Sequence, residues 1–148
     1  FAVIGRVSRL SRLIDRRLIE NFEAHGLDGD WMFDVMMTLR RAGEPYELTA
    51  GELVRQTMVT TGAMTNRIDR LEARGFVRRI ASPSDRRVVL VRLTTEGRRI
   101  VDEAANAHYQ LERELLQALT PAQQQRLSSA LRTLLIDLGD VPAEPEEP

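Results

Sequence analysis

Cysteine is absent from the 148 residues, which removes a disulfide framework, a thiolate zinc site, a catalytic thiol and a thiol-based oxidant sensor in one step. Lysine is absent too, so all 21 basic side chains are arginine. Guanidinium suits bidentate contacts to phosphates and bases, although a coding bias gives the same composition. Histidine occurs only twice, and there is no glycine-rich phosphate loop or Ser-His-acid pattern. Neighbouring carboxylates, such as Asp69 and Glu72 or Asp102 and Glu103, fall where helix surfaces are expected. No enzyme, metal centre or bound cofactor is therefore expected. No apolar run approaches the roughly 18 residues of a membrane span, and the stretch Phe1 to Arg6 is too short for a signal peptide. The expectation is a soluble cytoplasmic protein, of a size that buries a core without staples.

What is present is unevenly spread. The formal net charge of −1 conceals a basic middle, where eleven arginines from Arg55 to Arg99 face four acids, Asp69, Glu72, Asp85 and Glu96. The last twelve residues hold five acids, three prolines and no base, so 140–148 is expected to be an acidic, disordered tail.

Apolar side chains at Val3, Val7, Leu10, Ile14 and Leu18 lie on one helical stripe, stopped by Gly26. A second helix, apolar nearly all round and hence central, is expected from near Asp28 or Asp30 through Leu39 to Gly43. The Thr49 to Glu52 spacing is that of a capping box, opening a short helix to about Thr57. A threonine-capped amphipathic helix then runs through Met64, Ile68 and Leu71 to Gly75. Two helices joined by a tight turn form a helix-turn-helix. Phe76–Ile80 and Val88–Leu93 have strand composition, and the polar tip Ser82 to Arg87 between them makes a two-stranded wing. A long helix follows Thr94, and Thr120-Pro121-Ala122-Gln123 opens a last one with Leu127, Leu131, Leu134 and Leu138 on one stripe. The fold class is mainly α with a small β-wing: a winged helix-turn-helix over 28–93, with terminal helices over 1–27 and 94–139.

Stepping about 100° per residue, Met64, Ile68, Leu71 and Gly75 define the buried face of the Thr61–Gly75 helix. The opposite face carries Gly62, Asn66, Asp69 and Ala73, flanked by Thr65 and Arg70. Its small middle and donor-rich edges would let it lie in a major groove, with Asn66 and Arg70 reaching bases or phosphates. An ordinary solvated helix face has the same pattern. At the hairpin tip, Arg86 and Arg87 would lie over a minor groove, with Asp85 fixing the direction of Arg87. A turn-forming Asp beside two solvated arginines is the alternative. Arg67 sits about 60° from Met64, beside the buried face, so its side chain is expected to point inward, and a buried arginine needs a partner such as Asp34.

These residues resemble the multiple-antibiotic-resistance regulator (MarR) family. The resemblance is carried by Thr61-Gly62-Ala63-Met64-Thr65-Asn66-Arg67-Ile68-Asp69-Arg70-Leu71-Glu72-Ala73-Arg74-Gly75, by Ser82-Pro83-Ser84-Asp85-Arg86-Arg87, and by Val91-Arg92-Leu93-Thr94-Thr95-Glu96-Gly97. It implies a homodimer built from N- and C-terminal helices, a pseudo-palindromic double-stranded DNA operator, and repression relieved by a small organic anion or phenolic effector. It also implies that Thr61, Thr65, Asn66 and Arg70 contact the groove, with Asp85 and Arg87 as the wing pair. A small winged domain cannot cover the stripes on both terminal helices alone, which agrees with a dimer, although helices folded back on their own protomer would also cover them.

The chain further resembles the urate-responsive branch of that family. In that branch an acid on the central helix, an Arg in the recognition helix and another just after it line an anion site. Asp34, Arg67 and Arg79 match this spacing. The ligand-stacking Trp that the branch carries on an N-terminal extension has no counterpart in 1–148, so Trp31 is either a substitute wall or part of the core. His25 is either a ligand donor or a helix cap. A winged-helix protein-interaction module is the reading of a different class.

Overall fold

The computed structural model describes residues 2–140, so the acidic tail expected over 140–148 lies, past Asp140, outside the described residues. The chain divides into two compact units between Leu111 and Glu112. Along it run α1 (Ala2–Ala24), α2 (Asp30–Arg41), β1 (Glu47–Thr49), α3 (Ala50–Thr57), α4 (Thr61–Ala73), β2 (Val77–Ala81), β3 (Val89–Leu93), α5 (Thr95–Leu116) and α6 (Pro121–Asp137).

The first unit is built around α2, whose Met32, Val35, Met36 and Leu39 are wholly buried. Leu53 of α3, Met64, Ile68 and Leu71 of α4, Val77 and Val91 of the sheet, and Val101 and Ala104 of α5 close over them. The rings of Phe22 and Phe33 stack at 5.0 Å, and His108 lies 6.3 Å from Phe22, joining α1, α2 and α5. Side-chain caps start α3 and α4 as their sequences require. Glu52 N donates to Thr49 Oγ1 (3.1 Å) while Thr49 N donates to Glu52 Oε2 (2.7 Å), and Thr60 Oγ1 accepts from Ala63 N (3.2 Å). At the far end of α4, Gly75 takes φ +73°, a left-handed turn that glycine adopts without strain.

The wing is larger than the two strands expected. β1 pairs antiparallel with β3 and β3 with β2, giving the order β1-β3-β2. Three residues are too few to show an alternating pattern, so β1 exists by virtue of its partner. Glu47 opposes Arg92 in the register, and their side chains bond at 2.5 Å.

One close approach fixes α5 to the exit of α4. Thr94 Oγ1 accepts from Gly97 N (2.9 Å) and donates to the Gly75 carbonyl (2.6 Å), while Thr94 N donates to the Phe76 carbonyl (3.0 Å). A Cβ on Gly97 would sit 2.0 Å from that carbonyl oxygen.

Among the described residues two apolar faces stay uncovered. On α1, Val3, Ile4, Val7, Leu10 and Leu13 are exposed, and only Leu18 and Phe22 reach the core. In the second unit α6 opens with the expected Thr120–Gln123 capping box and Pro121, buries none of its residues, and lines an apolar groove of about 640 Å³ with Leu127, Leu131 and Leu135. Among the described residues no helix is long and apolar enough to cross a membrane.

Candidate nucleic-acid interface

The buried face of α4 decides what it shows outward. With Met64, Ile68 and Leu71 locked in the core, Thr61, Gly62, Thr65, Asn66, Asp69, Arg70 and Ala73 are exposed. Thr65 spends its hydroxyl hydrogen on the Thr61 carbonyl (3.0 Å), so its oxygen lone pairs and methyl are what it offers outward.

At the hairpin tip Asp85 is tied to Arg87 three times. Oδ1 accepts from the Arg87 amide (3.0 Å) and from Nε (3.2 Å), and Oδ2 accepts from Nη2 (3.3 Å). The Arg87 side-chain bond, then the amide bond, holds the Asp85 carboxyl below its usual range. Arg87 nevertheless keeps 90% of its side chain exposed. Arg86 is exposed beside it.

Arg79 departs from the expected anion site. Its guanidinium bonds Glu72 Oε2 and Asp69 Oδ1, each at 2.5 Å, and its amide donates to Glu72 Oε1 (3.0 Å). It clamps β2 to α4 and is not among the residues lining the pocket that holds Asp34 and Arg67. The spacing seven and ten residues back to Glu72 and Asp69 crosses the Gly75 turn, where a helical wheel no longer applies. The amide bond from Arg79 is the main reason the Glu72 carboxyl titrates below its ordinary 4.5. A depressed folded pKa means a contribution to stability that is present above 4.5 and lost as pH falls through the folded value. Glu72→Gln is therefore expected to melt below the parent at pH 7, with the gap closing on acidification below 4.5. A gap that stayed constant to strongly acid pH would dismiss the charged clamp.

Asp34 and Arg67 share an open pocket of about 380 Å³ with Asp30, Trp31, Met37 and Arg41. The buried ion pair expected of them is corrected: Arg67 is half-buried, Asp34 is exposed to the pocket, and no charged side chain is fully buried among the described residues. Although its surface opens to the pocket, the crowding walls strip water from the Asp34 carboxyl and raise its pKa, an effect Arg67 opposes through its charge.

His25 does not join this pocket. Its Nδ1 lies 2.7 Å from the Asn21 carbonyl, closing the last turn of α1, which is the capping role. Trp31 packs partly against the core and also lines the pocket. Sequence reasoning missed its contact with Arg70, whose Cζ stands 4.7 Å from the ring centroid. It also missed Asp28, which faces both Arg70 (3.6 Å) and Arg74 (3.0 Å). The run of guanidiniums at 67, 70 and 74, on one side of α4, was the available signal.

Comparison with known proteins agrees with this geometry. The MarR family profile matches residues 32–89. The chain is 36% identical over 129 residues to the HTH-type transcriptional regulator PecS of Dickeya dadantii, covering 87% of this chain and 77% of the relative. It is similar to the solved structure of a mutant MarR from E. coli complexed with operator DNA (TM-score 0.72, 31% identity, 89% of this chain and 93% of that one). It is also similar to Sco3205, a MarR family transcriptional regulator from Streptomyces coelicolor solved in complex with DNA (TM-score 0.74, 25% identity, 98% and 89% covered). With the winged helix-turn-helix, the outward α4 and these matches together, the chain belongs to the MarR family of transcriptional regulators.

Proposed function

We propose that this protein is a homodimeric regulator that binds a pseudo-palindromic double-stranded DNA operator and is released by a small organic anion or phenolic effector. The observation that carries the reading is the exposed α4 face of Thr61, Thr65, Asn66 and Arg70 beside a hairpin tipped by Arg86 and Arg87. In that reading α4 enters a major groove and the Asp85-braced Arg87 a neighbouring minor groove. The operator complex of the E. coli relative and the DNA complex of the Streptomyces relative support it.

Dimerisation would be the work of the segments 1–27 and 94–139. The exposed leucines and valines of α1 and the apolar groove of α6 support this, since covering such surface stabilises association by about 25 cal/mol per Å² before association costs. Two copies would then present their α4 helices to half-sites about 34 Å apart. The effector would occupy the pocket of Asp34, Trp31 and Arg67, an anion or phenol being held by the guanidinium and stacked on the indole.

Binding to duplexes selected from a random-sequence pool, measured across a salt series, tests the reading. Affinity should fall steeply as salt rises, because each arginine on a phosphate releases counterions. Aromatic carboxylates should then release the duplex from the parent more readily than from Arg67→Ala. Affinity flat with salt for every duplex would leave the winged fold as a protein-interaction module.

A further inference from the structure

Arg70 is the outward arginine of α4, yet its guanidinium is held. Its Cζ lies over the Trp31 indole, 4.7 Å from the ring centroid, and Nη2 stands 3.6 Å from Asp28 Oδ2. Asp28 is anchored in turn by Arg74 Nη1 at 3.0 Å, and Arg74 donates to the Gly26 carbonyl. The first turn of α2 thus offers a π surface, and the segment before it a carboxylate, to one side chain of the recognition helix. The same indole walls the pocket and lies 5.9 Å under Arg67.

We propose that Trp31, assisted by Asp28, is a positioning residue for the DNA contact of Arg70, and that it couples that contact to the pocket. This rests on the DNA-facing reading of α4 and deepens it by naming how pocket occupancy reaches the groove. A guanidinium held over a ring by cation–π attraction still has N–H donors to spare for a phosphate or a base edge, since the ring takes up none of its five donors in a conventional hydrogen bond. The attraction also restricts the rotamers of a long side chain before DNA arrives, so less freedom is lost on binding. A guest that shifts the indole to enter the pocket withdraws this support without touching the outer face of α4.

The test uses the full chain, a duplex enriched from a random-sequence pool by the parent, and a scrambled duplex of the same length. Trp31→Leu should weaken binding to the enriched duplex about two- to five-fold, the scale of an exposed cation–π contact. Arg70→Ala should weaken it at least as much and lower the salt slope by about 2, about 1 for each protomer of the dimer. Trp31→Phe should restore most of the loss, and the Trp31→Leu/Arg70→Ala double variant should bind no worse than Arg70→Ala alone. Losses that add in the double variant, or a folded Trp31→Leu that binds like the parent, overturn the proposal.

Because Trp31 is the sole tryptophan, its fluorescence provides a readout that leaves the ring in place. Arg70→Ala uncovers the indole and should shift its emission to the red, and an unchanged spectrum overturns the contact. An Arg70→Ala variant with parental affinity overturns the proposal while the salt-dependent binding of the parent keeps the DNA reading. A parent that binds no duplex overturns both.

Discussion

A Gly97→Ala variant is expected to melt about 10 °C below the parent, reflecting a loss of about 3 kcal/mol. The added Cβ would lie 2.0 Å from the Phe76 carbonyl oxygen, 2.8 Å from its carbon and 3.0 Å from Phe76 Cα. All three are backbone atoms, so no rotamer change relieves the overlap. Phe76 cannot retreat either, because its carbonyl accepts from Thr94 N and its amide donates to the Leu71 carbonyl at the end of α4. The opposing effect, alanine's better helix propensity, is about 1 kcal/mol and loses to the clash. Gly62→Ala supplies the contrast, since nothing lies within 4 Å of its added Cβ and only the propensity gain remains. Thermal denaturation of both variants decides it, and a Gly97→Ala midpoint at or above the parent's would falsify the close approach.

The second large effect is in DNA binding. Replacing both Arg86 and Arg87 by alanine should cost about 100-fold in affinity at low salt and flatten the salt dependence, because each protomer of a dimer loses two guanidiniums. Asp85→Ala is the sharper variant. Charge counting alone predicts tighter binding when an anion is removed beside a phosphate. The three bonds that aim Arg87 predict the opposite, a weaker complex on every sequence. Asn66→Ala should instead change the ranking of duplexes, as expected of a group reading base edges. Tighter binding by Asp85→Ala, or identical losses on enriched and scrambled duplexes from the Asn66 variant, would reassign these roles.

The legible features were those whose cause is local. Capping boxes at Thr49 and Thr120 depend on residues three apart, and the buried side of α4 follows from Met64, Ile68 and Leu71 at helical spacing. Features made by distant segments meeting were not legible. β1 owes its existence to β3 some forty residues later, and Arg79 turns to Glu72 and Asp69 only because the Gly75 turn brings β2 back along α4. Arg67, read as inward and buried, is half-buried at a pocket wall, its Cζ 5.9 Å from the Trp31 ring centroid, and Asp34 acts on it across an open pocket. The periodicity of α2 shows an apolar helix; it does not show that Asp34 opens into a cleft.

The clamp of Arg79 onto Glu72 and Asp69 makes a single lever of the recognition helix and the root of the hairpin. A slight tilt of α4 would swing the arginine tip with it, lifting both elements from their grooves in one movement. An effector acting on that helix would need no separate hold on the hairpin to free the DNA.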